Sequence, residues 1–254
     1  MVRTALKLRV TWSGYDAIDT DRQYIVLALH ESFIDVPLMA GLPLDLRFTA
    51  REELFASEDF GALLRASHHV PIPETRSPTS MRLLVARLHS AVATGDSVVV
   101  FPQGSLLGVE VAFQPGAWRL AQMLGLPVLP VAIACTHQVW DHPFDNGVHL
   151  ERNVCVTTFP PIEPSDWNAD RARATERSLK QRAIETGLAR RFDPHRDGWW
   201  DEYAFEIDPD FDGLRRQVET HRLHDYCRPS DRPTERGQPA GSGVSAGPGS
   251  SGAC

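Results

Sequence analysis

An α/β fold, with a mostly parallel central sheet flanked by helices, follows from three features of the sequence. Short and almost wholly apolar runs recur at residues 24–29 (YIVLAL), 97–101 (SVVVF) and 127–134 (PVLPVAIA). Strands covered by helices on both faces read this way. Segments of helical periodicity separate them, which favours a sheet built by helical crossovers. Gly95 and Gly125 then stand where two of those helices should stop.

Taken in order, residues 24–29 form the first strong strand. Residues 36–44 open a helix, with Pro37 in its tolerant first turn. Residues 46–49 are a second short strand. Residues 52–66 have helical spacing through Leu54, Phe55, Leu63 and Leu64, weakened by Gly61. Residues 80–93 are amphipathic, with Leu83, Leu84, Leu88 and Ala91 to one side. The strand at 97–101, a helix at 115–124, the strand at 127–134 and a strand at 154–159 follow. A long polar helix at 170–191 carries much of the arginine. From residue 228 the chain is Gly, Pro, Ser and charge, so residues 228–254 are expected to be a disordered tail behind one domain at 1–227.

The 254 residues carry 26 Lys+Arg against 33 Asp+Glu, a net charge of −7 that argues against a nucleic-acid partner. Cys135, Cys155, Cys227 and Cys254 are scattered, as reduced cytosolic thiols are. They suggest neither a disulfide framework nor a metal site. No run approaches the roughly 20 apolar residues of a membrane span, and the first residues lack a signal-peptide core. A protein of this kind that works on lipids is expected to be cytoplasmic and to visit the membrane surface from that side.

In an open α/β sheet, ligands gather beyond the carboxyl ends of the strands. His30 stands directly after the first strand, and Asp35 lies five residues on, in HESFID. A strand-to-helix turn would bring them together. The carboxylate would hold one ring nitrogen, leaving the other to take a proton from an attacking hydroxyl. Of 10 histidines, only His30 has Asp at that offset. The second segment is FPQGS, residues 101–105, where a Pro-x-Gly-Ser turn can present backbone N–H groups to an anion.

HESFID, Arg51 before ELF, Arg76, FPQGS, FQPGAWRLA and LPVLPVAI occur in that order. The ordered set resembles the glycerolipid (lysophospholipid) acyltransferase family of the 1-acylglycerol-3-phosphate acyltransferase type. That family's blocks read approximately NHxSxxD, Lys before ELF, Arg after a strand, FPEGTRS, FKPGA and VPVxPVxI. The resemblance covers residues 24–136. It implies that His30 is the general base and that Asp35 orients it. The activated acceptor oxygen would attack an acyl thioester carried by coenzyme A or acyl carrier protein, with no cofactor and no metal. The acceptor would be a lysolipid. Arg51, Arg76, Gly104 and Ser105 would line its site, together with Gln103. Pro130 would fall on the acyl-donor side.

Two of the chain's departures from the family bear on charge in the FPQGS block. Gln103 stands for Glu and Leu106 for Arg, so two charges disappear together. The implied base survives, while a phosphate monoester on the acceptor loses a partner. A lyso-aminolipid or glycolipid acceptor, a non-catalytic acyl-CoA or lipid-binding relative, and a thioester hydrolase are the rival readings. Elsewhere, His68-His69 reads as a surface turn and His137 to Asp141 as a structural loop. Residues 199–211 (WWDEYAFEIDPDF) read as a packing arm, and the Arg-rich helix as a solvated face. Residues 53–64 read as a contact for an acyl chain or membrane.

Overall fold

The apolar runs become the middle of a seven-stranded sheet in the computed structural model, which describes residues 2–58, 60–75, 77–104, 106, 109, 111–140, 147–186 and 208. The element order is α1 (Val2–Ala5), β1 (Arg9–Ser13), β2 (Ile25–Ala28), α2 (Asp35–Met39), β3 (Leu46–Arg51), α3 (Glu52–Ala56), α4 (Gly61–Ala66) and β4 (Val70–Ile72). It continues with α5 (Pro78–Ala93), β5 (Ser97–Val100), α6 (Gly116–Leu124), β6 (Val128–Ala134), β7 (Asn153–Thr158) and α7 (Ala169–Thr186). The expected domain end at residue 227, the tail, Arg76 and Ser105 lie outside the described residues.

The strand order is β1-β7-β6-β2-β5-β3-β4. All neighbours pair in parallel except β6 and β7, which are antiparallel. The sheet is therefore mostly parallel, with β1 and β7 running against the other five. β2 occupies the switch point. The chain leaves it for β3 on one side and reaches β6 on the other, so the loops after β2, β5, β3 and β6 share one end of the sheet.

Both faces of the central strands are buried, as their composition requires. Ile25, Leu27, Val98, Val100 and Val128 pack under Leu84 and Leu88 of α5, Leu120 of α6 and Leu179 of α7. Val26, Ala28, Val99, Leu129 and Ile133 pack on the other face with Met39, Leu42 and Phe48.

Three differences from the sequence reading have local causes. β1 and β4 form the two edges and were not expected. β1 (RVTWS) mixes polar and apolar residues, and β4 is three residues long with a central proline, tolerated on an edge where a missing N–H costs little. The helix expected at 52–66 is split into α3 and α4. Ser57 is extended (φ −68°, ψ 147°), and Gly61 folds back so closely that an added Cβ would lie 2.4 Å from the Phe55 carbonyl oxygen. The long C-terminal helix is not a solvated face throughout. Arg171, Arg173 and Arg177 are exposed, but Lys180 is fully buried. Its Nζ donates to Glu176 (2.7 Å) and Asp208 (2.5 Å), and Glu176 also accepts the Phe113 N–H. Asp208 belongs to the acidic aromatic segment, which at this residue does pack on the domain.

At the opposite end from the switch-point loops, Arg47 Nε donates to Asp96 Oδ2 at 2.6 Å, and Thr94 Oγ1 donates to the same oxygen at 2.8 Å. Burial works against ionising Asp96, but these hydrogen bonds outweigh it and hold its carboxyl below the usual range. A depressed carboxyl contributes stability above its unfolded value, about 3.9, and loses it as pH falls through the folded value. Asp96→Asn should therefore destabilise the protein by about 1–2 kcal/mol at pH 7. The gap from wild type should close below about pH 4, as urea midpoints at the two pH values would show.

Candidate active site

The first strand delivers its histidine where the topology predicts. β2 ends at Ala28, and two residues later His30 enters the tight turn that starts α2. The Asp35 N–H donates to the Ser32 carbonyl at 3.0 Å, closing that turn and placing Asp35 in the first turn of α2.

The two side chains meet. His30 Nδ1 lies 2.7 Å from Asp35 Oδ2. A carboxylate only accepts, so Nδ1 carries the proton and Nε2 presents its lone pair. The same oxygen accepts the backbone N–H groups of Glu31 (2.7 Å) and Ser32 (3.0 Å). Asp35 is fully buried, whereas the His30 side chain retains 13% exposure. The anion is thus held inside by three donors, and the base reaches the surface. Phe101, the last residue before the FPQGS turn proper, stacks flat on the imidazole with centroids 3.9 Å apart and planes 14° apart. Its face fixes the ring plane that the carboxylate fixes at one edge.

The loop after β5 completes the site. The Gly104 N–H donates to the Phe101 carbonyl (3.1 Å), and Gly104 adopts φ 65°, a conformation favourable to glycine. Arg51, at the end of β3, donates from Nη2 to the Gly104 carbonyl at 3.3 Å. The structure therefore brings His30, Asp35, Arg51, Gln103 and Gly104 together across three adjacent strand ends. Leu106 is partly exposed.

Gln103, expected to line the acceptor site, also contacts the histidine loop. It is fully buried, and its Oε1 accepts the His30 backbone N–H at 2.9 Å. It braces the histidine loop against the FPQGS turn, a task for a neutral amide oxygen that the sequence could not reveal. Pro130, expected on the acyl-donor side, lies within β6. It pairs with Leu27 in mid-sheet and lines a cavity of about 200 Å³ with Phe159, Ile162, Thr175 and Leu179. His68 and His69 lie before β4, at the other end of the sheet. His68 is exposed, as a surface turn should be, and His69 Nδ1 accepts the Phe48 N–H at 3.3 Å. Burial, and then Arg47, push His69 below the usual range.

Sequence reasoning missed two contacts. Phe101 reads in sequence as a strand end and the start of FPQGS, with no sign that it stacks on His30. His137, in the 3-10 turn Thr136–Gln138 after β6, lies with Nδ1 3.0 Å from Glu31 Oε2. An H-x4-D search finds neither, because each contact joins segments far apart in the chain.

An imidazole–carboxylate pair at the switch point of a mostly parallel sheet has the residue types for proton transfer without a nucleophilic side chain. Residues 9–134, from β1 to the end of β6, match the acyltransferase family model, which marks this segment as an acyltransferase domain. The 1-acyl-sn-glycerol-3-phosphate acyltransferase of Limnanthes alba is 26% identical over 157 residues, covering 60% of this chain and 54% of that protein. The Bacillus subtilis enzyme of the same name is 29% identical over 118 residues, covering 45% of this chain and 57% of its own. The chain spans about half the length of the curated relatives it matches. The crystal structure of the 1-acyl-sn-glycerophosphate acyltransferase PlsC from Thermotoga maritima superposes with a TM-score of 0.58 at 26% identity. That match covers 72% of this chain and 74% of that one.

Proposed function

We propose that this chain transfers a fatty acyl group from the thioester of coenzyme A or acyl carrier protein to the hydroxyl of a lysophospholipid such as 1-acylglycerol-3-phosphate, in phospholipid biosynthesis. The observation that carries the reading is the His30–Asp35 pair at the end of β2, with the Arg51–Gly104 contact at the ends of the neighbouring strands. The names of the relatives supply the substrate class.

In the reaction, Nε2 of His30 takes the acceptor hydroxyl proton while the oxygen attacks the thioester carbonyl. The Nδ1–H bond to Asp35 stabilises the imidazolium that forms. Collapse of the tetrahedral adduct expels the thiolate, which takes the proton back from Nε2. One ester forms, one thioester breaks, and the enzyme returns to its starting state. No metal or cofactor enters. Arg51, with Arg76 and Ser105 from the same family blocks, holds the acceptor head group.

Among the described residues, no helix is long and apolar enough to cross a membrane. Leu63 of α4 and Met81 and Leu83 of α5 are exposed, at 64%, 38% and 50%. They support peripheral contact with the cytoplasmic face of the membrane, where a lysolipid resides.

Acceptor choice turns on position 106. Leu106→Arg should raise kcat/KM for lysophosphatidic acid by about tenfold relative to a lysolipid without a phosphate monoester, the scale of one charge-assisted hydrogen bond. The test is mass spectrometry of products from a mixed lysolipid panel, with each donor carrier in turn. A His30-dependent diacyl phosphate supports the reading. A His30-dependent product from another acceptor alone replaces the acceptor. No product from any acceptor with either carrier overturns the reading.

A further inference from the structure

We infer that Glu31 and His137 form a positioning pair that holds the catalytic histidine loop in register, an inference that rests on the acyl-transfer reading above. The Glu31 carboxylate is fully buried, and its Oε2 lies 3.0 Å from His137 Nδ1, whose side chain is 10% exposed. A carboxylate so buried persists only with a donor supplied to it. His137 supplies one from a different element, the turn that leaves β6, whose following residue Val139 is fully buried with Ile34 and Leu38.

The consequence for the dyad runs through the backbone. The Glu31 N–H is one of the three donors on Asp35 Oδ2, at 2.7 Å, and the Ser32 N–H is another. Ser32 Oγ also donates to the Trp140 carbonyl at 2.7 Å. The loop that carries both donors is thus fastened twice to the segment after β6, once by the Glu31–His137 hydrogen bond and once by a hydroxyl. On its other flank, Gln103 holds the His30 N–H. The Glu31 anchor sets where its own N–H points, that N–H sets where the Asp35 carboxylate sits, and the carboxylate sets the imidazole. Neither Glu31 nor His137 need touch substrate.

The test uses the full chain. His137→Ala should lower kcat by about tenfold to a hundredfold, with KM for donor and acceptor within about twofold, because a small misplacement of a reacting group costs rate rather than binding. His137→Asn, whose side-chain N–H reaches the place of Nδ1, should recover kcat to within about threefold of wild type. The downfield proton resonance of the short His30–Asp35 hydrogen bond should move upfield in His137→Ala and return in His137→Asn. Should His137→Ala fail to fold, the double variant Glu31→Leu with His137→Leu decides. Replacing both members by apolar residues removes the anchor without stranding a charge. That variant should fold and show the same loss of kcat.

A kcat within about threefold of wild type in either anchor-less variant overturns the inference. So does a raised acceptor KM at unchanged kcat, which would place His137 against substrate. Wild-type protein without transferase activity is a separate outcome. It would sink the acyl-transfer reading, and the resonance comparison alone would then test the pair.

Discussion

His30→Ala should lower kcat by about 10²–10⁴-fold and leave donor affinity within about twofold, because it removes the proton acceptor and no binding contact. Among the described residues, Asp35 is badly placed to substitute. Asp35 is fully buried behind the ring, its Oδ2 is occupied by three donors, and the neighbouring face of the imidazole is covered by Phe101. Truncation also opens a hole against Phe101, so His30→Gln is the companion variant. It fills the space, lacks a base, and should lose as much activity. Steady-state kinetics with saturating donor and acceptor check both. A loss below about threefold would remove His30 from the mechanism.

Asp35→Asn should lower kcat by about 10²–10³-fold with the fold intact. An amide oxygen in the place of Oδ2 can still accept the Glu31 and Ser32 N–H groups, so the turn survives. The charge that stabilises the imidazolium does not. Asp35→Ala differs in kind. It strands two backbone N–H groups in the interior, and each such group costs about 1–3 kcal/mol. Thermal unfolding should separate the two variants, with Asp35→Asn near wild type and Asp35→Ala well below it. If Asp35→Asn retained wild-type kcat, the carboxylate would serve the turn alone.

The contrast shows which parts of this protein can be read along the chain. The apolar runs at β2, β5 and β6 announce central strands because burial on both faces leaves no room for polar residues. Gly95 and Gly125 end α5 and α6 with positive φ, as expected of helix-stopping glycines. The edges are silent. β1 has a mixed pattern, β4 has three residues, and the reversal between β6 and β7 is a pairing choice that hydropathy does not encode.

The site divides in the same way. His30 and Asp35 are legible because both ends of the contact lie in one loop, five residues apart. The Gln103 brace spans 73 residues and the Glu31–His137 pair 106, and neither has a spacing to betray it. Gln103 carries the sharper lesson. The residue that removes a charge from the family pattern also supplies, in the fold, a buried amide oxygen bonded to the His30 backbone.

The central claim is direct transfer, with His30 as base and the acceptor hydroxyl as nucleophile. A quenched-flow experiment with an acyl thioester labelled in the acyl group tests it. The account predicts thiol release only when acceptor is present, with all label in the lipid product and none on the protein, and loss of both signals in His30→Ala. Label bound covalently to the protein, or thiol released as fast without acceptor as with it, would contradict it.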